Sequence, residues 1–134
     1  MLWLTPRDVT LGGEPLAGVE AVVMDRRAEE LVVEHGEDGP HVVFADVVRQ
    51  TVHVRVLRRP GPESGFEAVP GAEHGLRFRT APSASDARGR VVTALVVITG
   101  VTTEARPGRA AMETIQAIAV APDGTTDPVV ITRG

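Results

Sequence analysis

In residues 47–59, VVRQTVHVRVLRR, Val52, Val54 and Val56 fall on one side of the backbone and Thr51, His53 and Arg55 on the other. Successive side chains of a strand point to opposite faces, whereas a helix would spread these residues around its circumference. The segment is therefore a strand with one dry face and one wet face, and the dry face must be covered by another element. The same period of two recurs along most of the chain, and helical periodicity is nearly absent. That alternation excludes helix bundles and α/β folds built on crossover helices.

Turn chemistry divides the rest. A short strand at 8–11 closes on Gly12-Gly13, and GVEAVVMDRR at 18–27 follows. ELVVEHGEDGPHVVFADV reads as two strands hinged on Gly36–Pro40, because Asp38-Gly39 supplies the positive φ a tight hairpin needs. After the strand at 49–58, residues 60–75 hold four Gly and three Pro and form a loop long enough to be functional. A short strand at 76–80 precedes a second polar connection, 81–90, with room for one helical turn capped by Ser83 or Ser85. The longest apolar strand is 91–105; RPGR turns it, 111–124 returns, and DPVVITRG closes. A helix over 25–36, capped by Asp25 and Gly36, is the alternative reading there, opposed by the β-branched pair Val32 and Val33. The expectation is an all-β chain with at most one short helix. Seven to nine strands would form an antiparallel β-sandwich or distorted barrel with long extending loops, a single domain over 1–134.

Chemistry is harder to find than walls. With no Cys, thiolate metal sites, disulfides and Cys nucleophiles are all excluded. A net charge of −4 lacks the basic surface that phosphate neutralisation requires, so specific nucleic-acid binding is not expected. All the basic residues are Arg, whose planar fork suits interface carboxylates. Trp3 and three Phe, without Tyr, are too few rings for a sugar platform or a base-stacking surface. No apolar run approaches the length of a membrane-spanning helix, so no membrane partner is expected. The start, MLWLTPRD, lacks the basic and long apolar regions of a secretory signal, which favours a soluble, cytoplasmic product.

His35, His41, His53 and His74 show no HxH or HxxxH spacing. The acidic turn DGTTD at 123–127 lacks the terminal bidentate Glu of a calcium loop and reads as a solvated hairpin turn. Ser64, Ser83 and Ser85 lie outside any GxSxG elbow, and LGGEPLAG matches neither phosphate-binding glycine pattern. The chain is expected to be no enzyme, with no catalytic, cofactor or metal residues.

The order VTLGGEPLAGVEAVVMDRRAEELVVEHGEDGPHVVFADVVRQTVHVRV resembles the N-terminal half of small tail tube proteins of tailed bacteriophages and phage-like particles. The residues that carry the likeness are Gly12–Gly13, Leu16, Gly18–Val19, Glu34–Gly39 and Val52–Val56. The segment 91–131 is similar to that family's closing pair of long strands, ending in a DG..DPV turn. The resemblance implies a virion structural protein, made in the host cytoplasm, whose hexameric rings stack into a hollow tube. Genomic DNA would pass through without specific binding, helped by like-charge repulsion. Self-association would be joined by contacts with a tape measure, a terminator and a distal tail protein. It also implies one helix packed on the sheets, for which only 81–90 or 25–36 offers a place.

In that frame Thr51, His53 and Arg55 are candidates for a polar, lumen-facing surface. The loop 60–75 is the candidate inter-subunit arm, with Phe66, Glu67, Val69 and Glu73. Two other readings stand beside it: another ring-forming tail component (terminator, hub or distal protein), and a small β-sandwich module that recognises a protein ligand.

Overall fold

A computed structural model of the chain describes residues 1–37, 39–61, 66–84, 87–108 and 111–133, with Val43, Val47 and Val48 described by their backbone alone. Among the described residues nine strands, all paired antiparallel, make one sheet. They are β1 (Leu2–Leu4), β2 (Arg7–Leu11), β3 (Glu14–Pro15), β4 (Val19–His35), β5 (Val42–Arg58), β6 (Glu73–Arg79), β7 (Arg90–Glu104), β8 (Met112–Ala119) and β9 (Val129–Arg133). The strand order is β1-β4-β5-β8-β7-β6-β2-β3, with β9 paired to β7. No helix occurs among the described residues.

The sheet curls into a half-barrel, and one contact makes the curl plain. Trp3 on β1 packs edge-on against Phe78 on β6, ring centroids 5.2 Å apart, although four strands separate β1 from β6 in the sheet order. Only a sheet folded back on itself brings those rings together. The concave face then buries the alternating set that the sequence marks as dry: Val52, Val54 and Val56 of β5, Ile115 and Ala117 of β8, Val92, Ala94, Val96 and Ile98 of β7, Leu76 and Phe78 of β6, and Val9 and Leu11 of β2. The expected sandwich-or-barrel architecture is thus realised as one continuous sheet.

Tight closure of the curl depends on backbone that few side chains tolerate. Gly12 and Gly13, at φ +64° and +82°, turn β2 into β3 with the two positive angles of a type I′ turn. Gly18, at φ +73°, lies so close to β5 that a Cβ there would meet the Arg59 carbonyl oxygen at 2.1 Å. Asp8, also at positive φ, sits where the pairing of β2 with β6 shifts register between Arg7 and Thr10.

β4 and β5 outrun the rest of the sheet. β8 pairs with β5 only over Val52–Arg58, so beyond Thr51 the two long strands pair with each other alone, out to His35 and Val42. This two-stranded arm is about 30 Å long at the usual strand rise. The helical alternative over 25–36 is overturned, since all of Asp25–His35 is strand. Val32 and Val33 prefer extended backbone, and every β4 residue from Asp25 to His35 except Glu29 has a β5 partner in the ladder. Register shifts fall between Ala28 and Glu30, between Glu30 and Leu31, and between Glu34 and His35. They break the alternation, which is why the sequence divides each long strand into two. A helix over 81–90 is not formed by the described residues of that stretch; Ser85 and Asp86 lie outside them.

Candidate assembly interface

The arm is exposed along most of its length. Every residue from Arg26 to His35 is exposed, including Leu31 at 54 % and Val32 at 45 %, as are Val42 and Phe44 at 46 % and 50 % on the returning strand. Directly opposed residues share a face, so Val32 with Asp46 and Glu34 with Phe44 form one face of the arm, and Leu31, Val33 and Ala45 lie on the other. A two-stranded ribbon is marginal in water, and apolar side chains on both its faces signal a missing partner.

Ion pairs hold the arm's base. Arg26 Nη2 donates to Asp127 Oδ2 at 2.9 Å, tying β4 to the β8–β9 turn. That hydrogen bond, with one from the Val129 amide, holds the Asp127 carboxyl below its usual range. His53 Nε2 lies 3.5 Å from Glu29, and Arg49 Nε 3.4 Å from Glu30. In the same turn Asp123 accepts hydrogen bonds from the Thr126 hydroxyl and from the Thr126 and Thr125 amides, which bring its pKa down to about 2. Both carboxylates of DGTTD are thus engaged in shaping the turn. No group of three or more His, Asp or Glu placed to hold a metal ion occurs among the described residues.

Thr51, His53 and Arg55 lie together on the convex face, away from the core. Thr51 and His53 are half-buried and Arg55 is exposed. Their cross-strand neighbours are Arg27, Asp25 and Val23 on β4, with Ile118 and Gln116 on β8. The face is polar but not purely so, since Val23, Ile118, Leu57 and Val97 are half-buried on the same surface.

Pro62–Gly65 lie outside the described residues. Phe66 packs on the edge of the core, edge-on to His74 at 5.6 Å and 5.8 Å from the Arg58 guanidinium. Glu67 and Val69 are exposed, the Gly71 amide donates to the Ile98 carbonyl, and Glu73 opens β6 beside β7. The element that projects is the β4–β5 arm.

Arg58 is the residue that sequence motifs miss. It is 1 % exposed, its Nε donates to Glu113 Oε1 at 2.9 Å, and its Nη2 donates to the Phe66 carbonyl at 3.3 Å. The signal was present: Arg58 continues the even-numbered series Val52, Val54, Val56 into the dry face. A second unmarked feature lies on the convex side of β6, β7 and β9, a shallow groove of about 670 Å³. Leu95 and Val130 are its apolar side chains, and Thr93 and Arg77 are cross-strand partners within it. Arg77 is exposed and has no ion-pair partner among the described residues.

Fold and surfaces together define a curled, all-antiparallel domain with a projecting hairpin and an open convex face. Solved structures share that fold. One is described as the tail of an empty gene transfer agent particle with C6 symmetry, with a TM-score of 0.52 and 11% identity over 90% of this chain and 85% of the other. Another is described as the virion of a native gene transfer agent particle, with a TM-score of 0.51 and 11% identity over 95% of each chain. The likeness to tail proteins of phage-like particles read from the sequence is met at the level of the fold. No protein-family model matches the chain. No curated protein matches it in sequence.

Proposed function

We propose that the chain is a structural subunit of a phage-like tail, built into the virion, in which copies form rings that stack into a hollow conduit. The observation that carries the proposal is the fold shared, along nine-tenths of the chain, with a chain of a gene transfer agent tail described with C6 symmetry. The exposed arm supports it, because an isolated ribbon with apolar groups on both faces gains its stability from neighbouring subunits. In this role the protein is non-catalytic. The half-polar convex strip of Thr51, His53 and Arg55 is the candidate lumen wall, and DNA would slide past it without base-specific contact. The other tail components would meet the ends of the tube.

The fold shared with a chain of the whole virion equally suits a ring that does not stack, such as a terminator, hub or distal protein. A heterologous interface closes into a ring or runs on as a helix according to its rotation. Negative-stain microscopy with mass measurement in solution separates these outcomes. Long tubes are expected for a tube subunit and single rings for a terminating component. A monomer at every concentration, including in the presence of co-expressed tail proteins, would overturn the assembly reading.

A further inference from the structure

The arm and the groove are complementary in charge as well as in polarity. Between Ala28 and Val48 the sequence has Glu29, Glu30, Glu34, Glu37, Asp38 and Asp46 and neither Arg nor Lys, leaving 14 Arg against 12 carboxylates in the remainder. Glu29 and Glu30 already face His53 and Arg49 of their own chain, but Glu34 and Asp46 have no ion-pair partner among the described residues. These two share one face of the arm with Val32 and Phe44. The groove answers in kind, with an apolar lining beside the unpaired Arg77.

We infer that the arm of one copy seats in the β6–β7–β9 groove of a second copy, Phe44 and Val32 on the apolar lining and Glu34 or Asp46 against Arg77. The inference rests on the assembly reading above and names the contact that would carry it. The Leu31–Val33–Ala45 face of the arm is the poorer fit, because its core pairs offer Arg77 no carboxylate. Arm and groove are different surfaces, so each copy gives an arm and receives one, and the contact is heterologous where the copy it reaches and the copy it receives from are different. Repetition then produces rings or filaments in place of a closed pair.

The absence of Cys allows a direct test on the full-length chain. Phe44→Cys and Thr93→Cys are made singly, differently tagged, mixed and oxidised. Both positions tolerate the change, Phe44 being exposed and Thr93 half-buried on the convex face. The expected product is a disulfide dimer containing one of each, in excess over either homodimer. In parallel, Arg77→Glu should raise the concentration at which assembly begins by about tenfold or more, and adding Glu34→Arg or Asp46→Arg should restore it. If the proteins assemble but the mixed disulfide is absent and no charge exchange restores assembly, the groove contact is wrong while the assembly reading stands. If neither the parent nor any variant assembles, the assembly reading falls and takes this contact with it.

Discussion

Arg58 shows how much one buried cation organises. Its guanidinium joins β5 to Glu113 on β8 and holds the Phe66 carbonyl, so it fixes the returning end of the long loop to the sheet. Removing one partner of a buried, hydrogen-bonded pair strands the other charge, and Arg58→Ala should lower stability by about 3–5 kcal/mol in chemical denaturation. Replacement by Met, similar in length, should cost less than Ala. His53→Ala is the contrasting case. Its link to Glu29 is long and partly solvated, so the loss should stay below about 1 kcal/mol. Gly18→Ala should be severe, about 2 kcal/mol or more, because both the positive φ and the Arg59 carbonyl oppose a Cβ. For Asp123 the folded pKa lies below the ordinary 3.8, so its stabilisation of the turn is fully present above that value and is lost as pH falls through about 2. An NMR titration of the Asp123 carboxyl and of the Thr125 and Thr126 amides should show all three moving together near pH 2.

At the scale of elements, the arm should be separable from the body. Replacing residues 29–49 by Asn-Gly joins Ala28 directly to its opposed partner Gln50 through a two-residue turn. The trimmed protein should unfold within about 1 kcal/mol of the parent by calorimetry, since the described side chains it loses are almost all exposed, yet should no longer assemble. A loss of more than about 3 kcal/mol would mean that the arm is part of the body. Much of this architecture was legible in the sequence. Period-two alternation marks the core residues of β5 and β7, and Gly36–Pro40 marks the tip of the β4–β5 hairpin. The continuity of β4 and β5 was not legible, because displaced ladder partners break the alternation that a reader follows. Nor was the groove, whose members come from β2, β6, β7 and β9. Arg58 lies between these cases: its parity places it inside, but a buried charge needs a partner, and Glu113 comes from a distant strand.

For the whole molecule, the curl puts charge and apolar surface where copies can meet, on the arm and on the convex side. If acidic arm and Arg77 attract, raising salt from about 0.05 M to about 0.5 M, which shortens the screening length several-fold, should delay assembly measured by light scattering. Assembly that strengthens with salt would point to apolar contacts alone. The register shifts along β4 have a further meaning here. The arm's two outer backbone edges lie open, and a straight, regular ribbon of that kind is a template on which other chains can lay strands without limit. Irregular strands accept such additions poorly. In the proposed role, a subunit that joins its neighbours at high local concentration would thereby be shielded from amyloid-like growth, with its arm left to engage them by side chains rather than by backbone.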